Sequence, residues 1–142
     1  MKKLGWAIAT VGMFAAGFLT RAVMPDAAVA HAQAAMKVYE LRTYVAPDDK
    51  FAALNARFRD HTIRIFNKHK MTSVGYFIPQ DETKSKNTLI YLLQHPSREA
   101  AEANWKAFGS DPEWQKVAAD SGVGRIMVTR EFLNPTDYSP MK

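Results

Sequence analysis

The stretch Lys37-Val38-Tyr39-Glu40-Leu41-Arg42-Thr43-Tyr44, followed by Pro47-Asp48-Asp49 and then by Phe51, Leu54, Phe58, Thr62, Ile65 and His69, decides the fold. Its first eight residues alternate, with Tyr39, Leu41 and Thr43 set against Val38, Glu40, Arg42 and Tyr44, the period of a strand whose two faces are dressed differently. Pro47 and the two aspartates make a turn and place negative charge at a helix start. The residues beyond them recur at helical spacing for about five turns. A strand running into an amphipathic helix is half of a split β-α-β arrangement, so the rest of the chain is read for the other half.

That other half is present. Met71 to Ile78 reads as a second strand, Pro79 with the polar stretch Gln80 to Asn87 as a loop, and Thr88 to His95 as a third strand. After Pro96, Ser97 is a helix N-cap, and Ala101, Trp105 and Phe108 form one apolar stripe that ends at Gly109. Asp111-Pro112 restarts the chain as a short helix carrying Trp114, Val117 and Ala118, because Pro suits the first helical position and Asp can cap it. Gly122 and Gly124 break that helix, and Arg125 to Leu133 alternates as a fourth strand. The order β-α-β-β-α-β, with one extra helix, predicts an α+β ferredoxin-like antiparallel sheet with its helices on one face. With Tyr39 and Leu41 turned to the helices, the open face would carry Val38, Glu40, Arg42 and Tyr44, then Val74, Tyr76 and Ile78, then Ile126, Val128 and Phe132. An apolar surface of that size is seldom left in water. A homodimer is therefore expected, two sheets closing a dimeric α/β barrel around a space suited to a small apolar molecule.

Residues 1–34 differ in composition from the domain that follows, residues 35–142. Lys2 and Lys3 precede a nearly unbroken apolar run from Leu4 to Leu19, then Arg21 and an alanine-rich segment. This reads as an export signal, and the run falls short of the roughly 20 residues that span a bilayer. Cleavage after Ala34, with the product periplasmic or secreted, is expected; the alternative is an uncleaved membrane anchor over residues 4–20. Of 19 basic and 14 acidic residues in the 142, the leader holds Lys2, Lys3, Arg21 and Asp26, which leaves 16 and 13. That small, interspersed excess does not suit a nucleic-acid partner. The lack of cysteine excludes a disulfide scaffold and a Cys₄ zinc site.

Tyr39-Glu40-Leu41-Arg42-Thr43-Tyr44, His61-Thr62-Ile63 with Ile65-Phe66 and Lys68-His69, Val74-Gly75-Tyr76-Phe77 and Asp111-Pro112-Glu113-Trp114 stand in this order. Together they resemble the NIPSNAP family over roughly residues 36 to 135. The resemblance implies the dimeric α+β barrel shared with small antibiotic-synthesis and haem-degrading monooxygenases, and no agreed reaction. Two positions depart from the family's pattern: Arg64, where many members carry proline, and Lys70, where glycine often ends the helix.

Glu40 and Arg42, two apart, leave one face of a strand and suit either an ion pair or a polar ligand. Tyr44 and Tyr76 would offer phenols to a pocket, and core packing explains them equally well. His61, on the flank of the first helix, can move a proton near neutral pH or make a structural hydrogen bond. These five residues are the pocket-lining candidates. His69 suits the last turn of the helix as a donor, and Asn104-Trp105 point about 100° apart, which disfavours joint action. No His-x-x-x-His or Glu-x-x-His pattern, glycine-rich phosphate loop or Gly-x-Ser-x-Gly elbow occurs, so neither a metal nor a cofactor is assigned. The expected function is binding of a small apolar molecule. The alternatives are a cofactor-free or haem-dependent monooxygenase-like enzyme and a non-catalytic envelope interaction module.

Overall fold

A computed structural model describes residues 37–141. The export leader, its cleavage after Ala34 and the anchor reading of residues 4–20 lie outside that range. Among the described residues, no helix is long and apolar enough to cross a membrane.

Strand β1 spans Val38–Val45, β2 Thr72–Phe77, β3 Thr88–His95 and β4 Met127–Leu133. They form one antiparallel sheet in the order β2-β3-β1-β4, the crossed order of a ferredoxin-like fold. One protomer is an open sheet, not a closed barrel. Helix α1, Phe51–Arg57, and helix α2, Ile63–Lys68, are joined by a π-helical turn, Phe58–Thr62. The 3.6-residue period predicted a single helix here. The Thr62 hydroxyl donates to the Arg57 carbonyl, five residues back, at 3.1 Å, and so occupies an oxygen that a regular helix would offer to its own backbone.

Helix α3, Arg98–Gly109, starts where the Ser97 hydroxyl accepts the Ala100 amide at 3.1 Å. Helix α4, Pro112–Asp120, starts where Asp111 accepts the Glu113 amide at 2.9 Å. Both caps are the ones the sequence predicts. Lys70 takes up a left-handed conformation, φ 57°, at the turn out of α2.

The helices cover one face, and the core there is built from Leu54, Phe58, Ile65, Phe66, Leu89, Tyr91, Leu93 and Phe108. The pairing register corrects the face assigned to β1. Glu40 stands opposite Leu93, Arg42 opposite Tyr91 and Tyr44 opposite Leu89, so Val38, Glu40, Arg42 and Tyr44 face the helices. Tyr76 opposite Tyr91, Val128 opposite Tyr44 and Phe132 opposite Glu40 lie on that side as well. The open face carries the other parity: Tyr39, Leu41, Thr43 and Val45; Ile90 and Leu92; Phe77; Met127, Thr129, Glu131 and Leu133. Alternation shows that two faces differ. It does not show which one the helices cover, and here both are partly apolar.

Candidate functional site

Two polar features interrupt the helix-covered face. The first is a buried carboxylate. Glu40, in the middle of the sheet, has no solvent exposure. Its Oε2 accepts from Trp105 Nε1 of α3 at 2.6 Å and from His95 Nε2 at the end of β3 at 2.9 Å. Arg42 Nε lies 3.6 Å from Oε1, and the Arg42 guanidinium stacks 3.9 Å above the Trp105 ring. Burial alone would raise the Glu40 carboxyl. The donors His95 and Trp105 and the charge of Arg42 outweigh it and hold the group below the usual carboxylate range. The ionised carboxylate only accepts, so His95 carries its proton on Nε2.

The ion pair anticipated from the spacing of Glu40 and Arg42 is present. His95 and Trp105 are partners the sequence reading did not assign. His95 had one signal, since Leu89, Tyr91, Leu93 and His95 alternate as one inward face of β3. Asn104 turns away and donates to the Lys70 carbonyl at 3.4 Å. The cluster clamps β1, β3 and α3 together, and neither Glu40 nor His95 borders the cleft described next.

The second feature is a cleft of about 420 Å³ between α1 with its π-helical turn and α4, bordered by Ala53, Ala56, Arg57, His61, Val117 and Ser121 among others. Ala53, Ala56 and Val117 give it an apolar wall, and Asp60, His61, Glu113, Lys116 and Asp120 also border it. Arg57, only 6% exposed, borders it. Its guanidinium lies 5.1 Å from the Trp114 ring, and one nitrogen reaches the Ser121 hydroxyl at a long 3.4 Å. Burial lowers the pKa of Arg57, and the nearby hydroxyl-bearing rings of Tyr44 and Tyr91 oppose that shift. Five buried polar atoms lack a hydrogen-bond partner among the described residues: Glu40 Oε1, Arg42 Nε, Arg57 Nε, the Tyr91 hydroxyl and His95 Nδ1. All belong to these two features or, in the case of Tyr91, join them.

Another network sets the cleft's walls. His69 Nε2 lies 2.6 Å, and Lys68 Nζ 2.7 Å, from Asp111 Oδ2, which ties the end of α2 to the cap of α4. Hydrogen bonds from Lys68 and then His69 hold Asp111 far below the usual carboxylate range. Arg64 and Lys68 both pair with Glu113 on the same helix. His69 thus bridges two helices, where the sequence suggested a donor to its own helix end.

Of the five pocket candidates, His61 borders the cleft, and Tyr76 borders a smaller hollow of about 230 Å³ with Phe58 and Ile63. Burial raises the Tyr76 phenol, partly offset by its 2.6 Å bond with Ser73. Glu40, Arg42 and Tyr44 are packed between sheet and helices, with Tyr44 edge-on to Phe58 and Tyr91. As a correction, Glu40, Arg42, Tyr44 and Tyr76 do not lie on the open face of the sheet, where an inter-sheet pocket would put them. A broader hollow of about 720 Å³ beside Asp48, Asp49 and Lys86 contains no buried charge.

Crossed strand order, helices on one face and a clamped carboxylate beneath them define an α+β domain of the ferredoxin-like class. The chain belongs to the NIPSNAP family, whose model matches residues 39–140. A NIPSNAP family protein of unknown function from Agrobacterium tumefaciens superposes with a TM-score of 0.66 at 20% identity, covering 76% of this chain and 96% of that one. A NIPSNAP-like domain protein from Burkholderia xenovorans gives 0.65 at 19% identity, covering 75% and 90%. SnoaB, a cofactor-independent oxygenase from Streptomyces nogalater, gives 0.50 at 12% identity, covering 75% and 99%. At these identities the likeness is one of fold. No curated protein matches the chain.

Proposed function

We propose that this protein is an exported homodimer that binds a small, largely apolar molecule, one in each protomer, in the cleft between α1 and α4. The cleft carries the binding reading: its volume lies in the range of ligand pockets, about 300–1,000 Å³, and the apolar wall of Ala53, Ala56 and Val117 stands beside polar and charged groups that can orient a ligand. The open sheet face supports the dimer. Phe77 is 55% and Met127 69% exposed there, and Glu131 is the face's only acidic residue among the paired positions of β1 to β4. A second copy, joined about a two-fold axis, would cover that face with its own. The residue 1–34 pattern supports export, and N-terminal sequencing of the mature protein is expected to begin at Ala35.

The test of the assembly is light scattering at micromolar concentration. Twice the chain mass is expected, falling to a monomer in Phe77→Arg and Leu41→Glu. A wild-type monomer, or a Phe77→Arg and Leu41→Glu pair of variants that both stay dimeric, would remove the open face as the interface. For the cleft, Ala56→Leu is expected to abolish thermal shifts produced by small apolar ligands.

A further inference from the structure

We propose that the occupant of the cleft is a small amphipathic monocarboxylic acid and that Arg57 is the receptor for its carboxylate. This deepens the small-molecule reading above and rests on it. A guanidinium has five N–H donors and cannot shed its charge at ordinary pH. Withdrawing such a cation from water without a counter-ion is costly. Arg57 is buried, forms no ion pair with a carboxylate among the described residues, and has only a long bond to Ser121, a ring face at Trp114 and two neighbouring phenols. Its Nε is without a partner, and the side chain borders the cleft.

The cleft's own acids do not neutralise it. Glu113 is held by Arg64 and Lys68, and Asp120 by Lys116 at 2.5 Å. Asp60 is exposed at the rim, beside His61. A planar carboxylate matches the arginine fork in a bidentate pair. A doubly charged phosphate would need more than one buried cation, and Arg57 is the only buried one among the residues bordering the cleft. Ala53, Ala56 and Val117 offer an apolar wall to the rest of the molecule. The π-helical turn follows directly on Arg57, and the bond from Thr62 to the Arg57 carbonyl anchors the receptor's own backbone.

Calorimetric titration of the full chain with octanoate, 1-octanol and octyl phosphate tests this. Octanoate is expected to bind saturably, at least about tenfold more tightly than 1-octanol, as one charge-assisted pair implies. Arg57→Met, which keeps the volume and removes the charge, should erase the difference, and Arg57→Lys should recover only part of it. Ala56→Leu leaves the arginine in place, and should block octanoate by filling the cleft, so the test does not depend on the Arg57 variants folding. Equal binding of octanoate and octanol, unaffected by Arg57→Met, would overturn the carboxylate assignment and leave the small-molecule site standing. Tighter binding of octyl phosphate would overturn the monoanion. No binding of any probe to the wild type would overturn both the assignment and the cleft as a ligand site.

Discussion

Glu40 sits where a charge is most expensive, and two donors and a cation make it tolerable. Removing the charge leaves Arg42 and the imidazole of His95 facing a neutral amide. Glu40→Gln is expected to destabilise the fold by about 2–4 kcal/mol, read by urea denaturation at neutral pH. The pH dependence follows in sign. Because the folded carboxyl titrates below its ordinary value, its contribution is complete above that value and is lost as the pH falls through the lower one. Melting temperatures of the wild type should therefore decline below about pH 4.5, the group's ordinary value, and Glu40→Gln should flatten that decline. Asp111 is shifted in the same direction, so the variant keeps part of the slope. The Glu40–Arg42 pairing was legible because residues two apart on a strand share a face. His95 and Trp105 were not, since they lie 55 and 65 residues away and meet Glu40 only through strand register and the docking of α3.

At the scale of the element, the caps were the most legible features, because Ser97 and Asp111 act on amides within three residues of themselves. The π-helical turn was hidden. Its stripe of Phe58, Thr62 and Ile65 satisfies a regular helix equally well, and the wide turn shows only in bonds reaching five residues back, from the Ile63 amide to the Phe58 carbonyl and from the Thr62 hydroxyl to the Arg57 carbonyl. The end of α2 carries a test of backbone strain. Lys70 holds a left-handed conformation that glycine adopts without steric cost, and its side chain is exposed. Lys70→Gly should stabilise the protein by about 0.5–1 kcal/mol, after the greater freedom that glycine gives the unfolded chain is set against the relief. A rise in the urea midpoint with an unchanged slope would show it. The strand faces teach the opposite lesson. Alternation in β1 was plain, yet Tyr39 and Leu41 looked as fit for the core as Val38 and Tyr44, and only pairing with β3 separates them.

For the whole molecule, the crossed strand order followed from the succession of periods, while the assembly depends on the face that the helices leave uncovered. If two copies join there, association stabilises the folded state by mass action, and the melting temperature should rise with protein concentration. Calorimetric scans over a hundredfold range of concentration check this, and Phe77→Arg should make the melting temperature independent of concentration. The outer strands of the sheet bear on what such an assembly becomes. The ladder of β2 to β3 is interrupted by a bulge between Ser73 and Gly75, and β4, on the opposite rim, carries Arg130 and Glu131. Rims that are kinked or charged are poor templates for another chain's backbone, whereas a face that meets its own copy is used up by the meeting. If two copies do join there, the molecule halts at a pair, and even when concentrated it has no ready route to the endless ribbons that flat sheets can form.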